Sequence, residues 1–349
     1  MPSIHESGFD CPAPVPPGDH ITLGHGGGGS LMQDLINNTI IPALGGDATE
    51  LHDSARLPPM PEGLCFTTDS YVVQPLFFPG GDIGSLAVYG TVNDLAVAGA
   101  RPGWLSLSFI MEEGLPRATL TRVLASVRQA AAACGVRVVT GDTKVVERGK
   151  GDGLYINTAG IGTAPVQAVH PGAIRPGDAL IISGDAGRHG AAIMAARQGL
   201  DEDGIPESDL APLHEATLAL MESGLPIHCL RDLTRGGLSA ACHELAAASG
   251  LGLQLEEAAL PVTAPVQSLC EILGLEPWSL ACEGRFIGVL PADAADEALA
   301  ILRETRVAAG AQKIGRVREE HPGCVTLSQP WGGERYLPLP TGTQLPRIC

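Results

Sequence analysis

The sequence predicts an α+β protein built from two mixed α/β domains and a flexible C-terminal tail. The chain has 349 residues, more than one hydrophobic core ordinarily supports, and 44% of them are apolar, as in globular proteins. Its helix and strand patterns are mixed without a regular strand–helix–strand rhythm, which argues against one doubly wound sheet. The best domain boundary is the run 170–179, where two turns containing Pro and Gly follow each other. The expected segments are a flexible start over 1–20, domains over 21–168 and 169–331, and a mobile tail over 332–349.

Helices and strands of the first domain follow from capping residues and from the spacing of apolar residues. The segment 30–44 is an apolar helix with Ser30 as a candidate N-cap and Pro42 near its end. Small and apolar residues at helical spacing predict a buried helix over 85–100, and alternation predicts a strand over 104–111. The same reasoning predicts a strand over 63–73, a helix over 116–134 and strands over 136–140 and 154–162.

The second domain is predicted to open with a strand over 179–184. A helix that starts at glycines, over 235–250, leads into a strand over 251–256. A strand–helix unit over 284–305 follows, and short strands come after it. Further helices are expected near 188–198, 208–222 and 263–273.

Charge and cysteine usage exclude several classes of protein. The net charge of −17, from 22 basic and 39 acidic residues, argues against nucleic acid and against an anionic membrane as partners. The start of the chain lacks the basic and apolar regions of a secretory signal. Apolar runs break before the ~20 residues that a membrane-spanning helix needs. The 9 cysteines are scattered without CxxC spacing, as expected for a reducing compartment, so the sequence predicts a cytoplasmic protein.

Residues 24–30 read GHGGGGS, which formally fits the GxGxxG pattern of dinucleotide-binding loops. That assignment is disfavoured because only Ile-Thr-Leu stands before the run in place of a proper strand. A Walker-type phosphate loop fails because lysine is missing after the last glycine. Two interpretations stay open: exposed amides before a helix N-terminus that hold an anion, or a flexible linker. The candidate anion-binding residues are Gly26, Gly27, Gly28 and Gly29.

Aspartates stand in unusual settings along the chain. Asp69 closes a predicted strand, Asp142 follows another, and Asp94 lies in an apolar helix, where a carboxylate is costly unless paired or bound to metal. Taken singly, each could be a helix cap or a turn residue. Because histidine and cysteine ligand spacing is missing, the set indicates oxygen ligands for Mg²⁺ that carries the phosphates of a nucleotide. The candidate metal ligands are Asp53, Asp69, Asp94, Asp142 and Asp232.

The last residue of the chain, Cys349, is a thiol in an unexpected place. A terminal thiol is not expected to join a core, and an exposed free cysteine is a liability through oxidation. A prenylation signal would need its cysteine where the chain has Pro346. Cys349 is therefore either an incidental cysteine on a frayed tail or a thiol with a function.

Several motifs, in this order along the chain, resemble one family. They are TTDSYVV, NDLAVAGA, TGDTKVV, RDLTRGG, CEG and the terminal PRIC. The chain is thereby similar to the HypE family of NiFe-hydrogenase maturation proteins, within the aminoimidazole-ribotide-synthetase-like superfamily. The aspartate motifs indicate the superfamily, and the terminal PRIC indicates the family. The resemblance covers nearly everything from Ile21 to Cys349.

The resemblance implies an ATP-dependent dehydration of a carbamoyl group on Cys349. The carbamoyltransferase HypF would load the thiol, the dehydration would give a thiocyanate, and the cyano group would pass to iron on the HypC–HypD scaffold. Superfamily members pair their N-terminal domains, so a homodimer is expected. The implied fold is two domains of the aminoimidazole-ribotide-synthetase-like type, with ATP and Mg²⁺ as cofactors.

By the same resemblance, Glu283 and Lys144 are the candidate catalytic residues beside Cys349. Judged alone, Lys144 could be a solvated loop charge and Glu283 a turn residue. Two departures from the family pattern are Cys282, where an asparagine is usual, and Arg188, where an acidic or neutral residue is expected. The expected nucleotide contacts are the glycine run with Asp69, Asn93, Asp94, Thr140, Asp142 and Asp232.

Two other functions remain as alternatives at this point. A small-molecule kinase or synthetase of the same superfamily would phosphorylate a soluble substrate and would not need Cys349. A nonenzymatic maturation scaffold would not hydrolyse ATP.

Overall fold

The computed structural model describes residues 19–26, 30–45, 63–164, 169–199, 206–337 and 348–349. Within these ranges, helices and strands form two sheet-based units, which confirms the predicted α+β class with two mixed domains. Most of the predicted N-terminal segment and 338–347 of the predicted tail lie outside the described residues. The same is true of four predicted site residues, Gly27, Gly28, Gly29 and Asp53.

The N-terminal unit is a sheet with two long helices on one face. Its elements in chain order are a 3-10 turn (Leu23–Gly26), α1 (Ser30–Leu35), a π-helical turn (Ile36–Ile40), α2 (Ile41–Leu44), β1 (Gly63–Tyr71), β2 (Phe77–Phe78), β3 (Gly81–Asp82), α3 (Ile83–Val97), β4 (Arg101–Glu112), α4 (Arg117–Cys134), β5 (Arg137–Val146) and β6 (Leu154–Ala164).

Strands β1, β6, β4 and β5 lie side by side in that order, so β1 and β5 are the edges of this sheet. The pair β4–β5 is parallel and the other neighbours are antiparallel. Side chains alternate between the faces of the sheet. On β1, Thr67 and Tyr71 make hydrogen bonds to α3, whereas Leu64 and Phe66 lie on the open face and are 60% and 69% exposed.

Helix α3 is buried on nearly all sides because it lies between the two units. Asp82 caps its start: its carboxylate accepts hydrogen bonds from the amides of Gly84 and Ser85. At the other end of the helix, Ala96 and Val97 pack into an apolar cluster with residues of the second unit. A helix that is apolar all round is expected to be buried all round. Its last turns therefore lie at the junction of the units.

The C-terminal unit is built on a larger sheet. Within the described residues its strand order is β13-β12-β9-β11-β7-β10-β8, antiparallel except for the pair β12–β9. Its elements in chain order are a 3-10 turn (Pro171–Ala173), β7 (Ala179–Ile182), α5 (Arg188–Arg197), α6 (His214–Glu222), β8 (Cys229–Asp232), α7 (Gly237–Ser249), β9 (Gly252–Glu256), a 3-10 turn (Glu257–Ala259), α8 (Ala264–Leu273), a 3-10 turn (Pro277–Ser279), β10 (Phe286–Leu290), a 3-10 turn (Ala292–Ala294), α9 (Ala295–Glu304), a 3-10 turn (Arg306–Ala308), β11 (Gln312–Arg318), β12 (Val325–Ser328) and β13 (Glu334–Tyr336).

Two predicted elements differ in ways that matter for the site. The prediction that Asp142 follows a strand is wrong, because β5 pairs with β4 as far as Val146 and Asp142 lies inside it, opposite Ser108. The helix predicted over 208–222 begins only at His214. Residues before it are instead tied into the tertiary structure, since the amide of Ser208 donates to the carbonyl of Pro79 in the other unit.

The helix predicted over 30–44 is also interrupted. Its middle is the π-helical turn, in which the amide of Ile41 donates to the carbonyl of Ile36. Pro42 follows directly, and proline offers no amide hydrogen for a regular helical bond. In the part of the chain that the structure describes, no helix is long and apolar enough to cross a membrane.

Candidate functional site

A cavity of about 690 Å³ opens where the two units meet, and five residues singled out from the sequence line it. β1 and α3 supply its wall from the N-terminal unit, and β8 and the turn before β10 supply its wall from the C-terminal unit. The end of the chain reaches into it as well. The five residues are Asp69, Asp94, Asp232, Glu283 and Cys349.

The alternation of side chains along β1 positions Asp69 and the residue that binds Asp94. Thr67 and Asp69 are two residues apart on one strand, so their side chains lie on the same face, toward α3. The Thr67 hydroxyl donates to Oδ2 of Asp94 over 2.8 Å, which joins the strand to the last turn of the helix. The cavity therefore receives Asp69 from the strand and Asp94 from the helix.

Buried negative charge dominates the electrostatics of this wall. Burial and then the nearby Asp232 raise the pKa of Asp94 to about 7. Burial also raises the pKa of Asp232, against a smaller opposing effect of Arg231. The Arg231 guanidinium approaches Asp232 only to 3.9 Å. A bound cation would offset the cost of ionising these buried carboxylates, so the wall favours cation binding.

We expect Asp94→Asn to stabilise the metal-free protein at pH 8. The pKa of Asp94 is about 7 in the fold against an ordinary value of 3.8, so its carboxylate makes folding less favourable as pH rises from 4 to 7, and this loss persists above 7. Asn removes the charge and can still accept the hydrogen bond from Thr67. The free energy of unfolding should rise by at most about 4 kcal/mol.

Urea unfolding in chelator at pH 8 and at pH 4 measures this effect. The gain should shrink toward pH 4, where Asp94 stays protonated in the folded chain and is partly protonated in the unfolded chain. Destabilisation at pH 8 would contradict the assignment, because it would mean that the Asp94 charge is paired in the folded chain.

Mg²⁺ fits the chemistry of these groups but not a preformed cage. Among the described residues, no three histidine, cysteine, aspartate or glutamate side chains converge on one metal position. Mg²⁺ commonly takes one or two protein carboxylates and completes its shell with water and phosphate oxygens. Asp69, Asp94 and Asp232 therefore fit an ion that arrives with a nucleotide.

Glu283 is held at the bottom of the cavity by its backbone. The side-chain Nδ2 of Asn93 donates to the carbonyl of Glu283 over 3.0 Å, and the backbone amide of Gly284 donates to the carboxylate of Asp209 over 3.1 Å. A Cβ on Gly284 would lie 2.0 Å from the carbonyl oxygen of Asp209, so this turn requires glycine. The turn next to Glu283 is thus fixed by both units of the protein.

The carboxyl of Glu283 is buried, with 3% of the residue exposed. Its Oε1 has no hydrogen-bond partner among the described residues. Burial raises the pKa of Glu283 well above its ordinary value, and Asp209 and Asp232 add to the effect. A buried carboxyl with an unused oxygen that faces other carboxylates is suited to exchanging protons with a bound group.

The end of the chain is docked in this cavity. The amide of Val72 donates to the terminal carboxylate of Cys349 over 3.1 Å, and Ile348 is buried against the N-terminal core. Cys349 packs against the same core, so the expectation that a terminal thiol stays out of a core is wrong. Burial and then Glu283 raise the pKa of the Cys349 thiol. The docked group is therefore a thiol and not a thiolate.

Three other predicted residues lie elsewhere in the same chain. Asp142 and Lys144 are exposed on the open face of β5 and form an ion pair of 2.7 Å, which lowers the pKa of Asp142. Thr140 is exposed on the same strand. Strand β5 is three strand spacings, about 14 Å, from β1. The structure therefore does not bring Lys144 to Glu283 within one chain.

Asn93 was predicted to contact the nucleotide. In the structure, its side chain makes hydrogen bonds within the protein. Its Nδ2 donates to the carbonyls of Ala211 and Glu283, and its Oδ1 accepts from the amide of Leu213. These bonds link α3 to the second unit. Asn93 positions Glu283, and its contact with a nucleotide stays a prediction.

The two departures from the family pattern have local explanations. Cys282 is buried, and its sulfur accepts a hydrogen bond of 3.0 Å from the amide of Gly187. Arg188 pairs with Asp185 over 2.9 Å, and Asp185 also pairs with Arg285 over 2.7 Å. Cys282 supports the turn that carries Glu283, Arg188 is held by Asp185, and neither residue lines the cavity.

Sequence reasoning missed two buried polar residues that act on this site. Asp209 is 4% exposed and, after burial, contributes most to the raised pKa of Glu283. His189 is fully buried and contacts the end of the chain. Asp209 directly follows Glu207 and Ser208, so its local sequence lacks the apolar surroundings that identified Asp94. His189 follows Arg188, and nothing in its local sequence distinguishes it.

Models of known protein families match both units of the chain. The family model described as AIR synthase related protein, N-terminal domain, matches residues 45–164, and its C-terminal counterpart matches residues 175–327. The chain is 48% identical over 336 residues to "Carbamoyl dehydratase HypE" of Rhodobacter capsulatus, which covers 95% of this chain and 98% of that protein.

Solved structures lead to the same relatives. A crystal structure of HypE in complex with ATP has a TM-score of 0.90 at 44% identity, covering 94% of this chain and 99% of that chain. A HypE–HypF complex has a TM-score of 0.77 at 40% identity, covering 89% and 100%. Identity of this order over nearly the whole length of both proteins shows that the chain belongs to the HypE family of carbamoyl dehydratases.

Proposed function

We propose that the chain catalyses the ATP-dependent dehydration of a carbamoyl group carried on Cys349. The product, a thiocyanate, would supply cyanide ligands for the iron centre of a NiFe hydrogenase. One observation carries the proposal: the terminal thiol shares a cavity with the buried Glu283 and three aspartates. A group carried on that thiol would lie next to a proton-accepting carboxyl and a set of oxygen ligands for cations. Membership of the HypE family supports the same activity.

The reaction removes the elements of water from a thiocarbamate. The amide oxygen attacks the γ-phosphorus of ATP, ADP leaves, and loss of one N–H proton gives an O-phosphorylated imidate. Loss of the second N–H proton, as the C–O bond breaks, releases phosphate and forms the nitrile. In total, thiocarbamate and ATP give thiocyanate, ADP, phosphate and one proton.

Glu283 is the proposed acceptor of these protons. A raised pKa makes a carboxylate a stronger base than an ordinary one. Its neighbours Asp69, Asp94 and Asp232 would hold Mg²⁺, which would neutralise the charge of the phosphates during transfer. Because the same aspartates raise the pKa of Glu283, neutralising them would bring that pKa back toward the working pH.

The remaining predicted residues call for a second copy of the chain. The turn Leu23–Gly26, where the glycine run begins, packs against β5, the strand of Thr140, Asp142 and Lys144. The cavity lies instead beside β1, at the opposite edge of the sheet. Each chain would therefore contribute one part of the site through its cavity and the other through β5.

A homodimer that pairs the open sheet faces is the proposed assembly. Leu64 and Phe66 are exposed on that face, and the face carries Asp142 and Lys144 at its far side. Exposed apolar residues on a sheet face favour a protein contact there. A two-fold axis would bring β5 of each copy toward the cavity of the other.

Partner proteins are proposed from relatives and from the resemblance. A relative forms a complex with HypF, which supports HypF as the donor that carbamoylates Cys349. The HypC–HypD scaffold as acceptor rests on the resemblance alone. The cytoplasmic location and the domain bounds 21–168 and 169–331 stay predictions.

Incubation with HypF, carbamoyl phosphate and ATP tests the activity. We expect mass spectrometry of the terminal peptide to detect first a carbamoyl and then a cyano adduct on Cys349. Cys349→Ser is the control and should acquire neither adduct. ATP turnover on a soluble substrate by Cys349→Ser would favour the small-molecule kinase, and a protein without any ATP turnover would favour the scaffold.

A further inference from the structure

His189 is a fully buried histidine whose two ring nitrogens both have partners. Its Nε2 lies 2.6 Å from the carbonyl oxygen of Ile348, and its Nδ1 lies 2.8 Å from the hydroxyl oxygen of Ser208. A carbonyl can only accept, so Nε2 carries the proton and Nδ1 accepts from Ser208. Burial lowers the pKa of His189, which agrees with a neutral ring. Its tautomer is thus set by the end of the chain on one side and by Ser208 on the other.

The ring of His189 is also held by an aromatic contact. It lies in the first turn of α5 in the C-terminal unit and makes an edge-to-face contact with Phe78, at 5.3 Å between ring centres. Phe78 belongs to the hairpin of the N-terminal unit. A ring held in this way presents its N–H in one direction, toward Ile348.

The last two residues of the chain are therefore held by both units at once. His189 of the C-terminal unit donates to the carbonyl of Ile348, and the amide of Val72 of the N-terminal unit donates to the terminal carboxylate of Cys349. The side chain of Ile348 is buried against the N-terminal core. Among the described residues, these two hydrogen bonds and the packing of Ile348 and Cys349 hold the end of the chain, and they are few enough to release without unfolding either unit.

We propose that His189 is a positioning residue that docks the terminal segment and so places Cys349 in the cavity beside Glu283. The meaning of this docking for catalysis rests on the proposed function, whereas the docking itself does not. With the hydrogen bond to Ile348 in place, the thiol is held in the cavity. Without it, the segment leaves the cavity more often, and the thiol meets solvent and partner proteins.

Alkylation of individual cysteines, followed by peptide mass spectrometry, tests the docking without nucleotide or carbamoyl donor. His189→Phe keeps a flat ring but has no N–H, and we expect it to speed alkylation of Cys349 about tenfold, the effect of one lost hydrogen bond. His189→Gln keeps a donor at similar reach and should stay within about twofold of the unchanged protein. Cys324, which is partly exposed and outside these contacts, is the internal reference.

A matched control is Arg188→Ala, one residue earlier on the same helical turn, where the side chain pairs with Asp185. It should leave the Cys349 rate unchanged. If the Phe variant does not fold, all its cysteines react together, and His189→Asn, which is polar but too short to reach Ile348, takes its place. Equal Cys349 rates in the folded variant and the unchanged protein would overturn the proposal. A dehydratase that proves inactive would leave this result standing, so the two failures are distinguishable.

Discussion

Mixing Lys144→Ala chains with Glu283→Gln chains should restore dehydration that neither variant performs alone. Within one chain Lys144 lies on β5 and Glu283 lies in the cavity beside β1, so the proposed dimer takes each residue of a site from a different copy. A mixed dimer then has one site with both changes and one intact site. Random exchange makes half of the dimers mixed, so we expect about a quarter of the unchanged activity.

The matched control mixes Glu283→Gln with Cys349→Ser. These two residues line the same cavity of the same chain, so a mixed dimer has one defect in each site and should stay inactive. Both mixtures are measured by cyanylation of the terminal peptide after subunit exchange. Failure of the first mixture, or a monomer by light scattering at micromolar concentration, would contradict the shared site.

Much of the cavity could be predicted from residue type in context. A carboxylate in an apolar helix identified Asp94, and its position follows from the burial of α3 between two units. Asp69 was expected near the end of a strand, and the alternation of β1 turns it toward α3. Asp94 leaves a local signal in the sequence, because the residues that follow it are apolar.

Lys144 and Asp142 could not be placed in the same way. Their position relative to Glu283 depends on the order of strands in the sheet, which brings β6 and β4 between β1 and β5. Their position also depends on the pairing register of β5 with β4, because a shift of one residue would turn both side chains to the other face of the sheet. Neither property is local, and both depend on pairing between distant segments.

The docked end of the chain could not be predicted from local sequence either. Nothing near His189 in the sequence points to Ile348, which is 159 residues away along the chain. The docking uses one donor from each unit, so it exists only after both units have folded and met. A contact of this kind can be found only from the structure.

Glu283→Gln should stop the reaction after carbamoylation. Gln keeps the shape of the side chain and removes its ability to accept a proton, while the thiol of Cys349 and the aspartates stay in place. The terminal peptide should therefore reach the carbamoyl mass and fail to reach the cyano mass. A general base commonly contributes 10²–10⁴-fold to a rate, roughly, so we expect cyano formation to slow by at least about a hundredfold.

The variant should remain folded, because burial raises the pKa of Glu283 and so favours its neutral form, and Gln is neutral as well. Asn93→Ala is an informative comparison: it removes the hydrogen bond to the backbone of Glu283 but leaves the carboxyl, so it should slow the reaction less. Unchanged ATP binding by calorimetry would show that the loss in Glu283→Gln lies in proton transfer. If Glu283→Gln forms the cyano adduct at the unchanged rate, Glu283 is not the base, and Lys144 of the second copy becomes the next candidate to test.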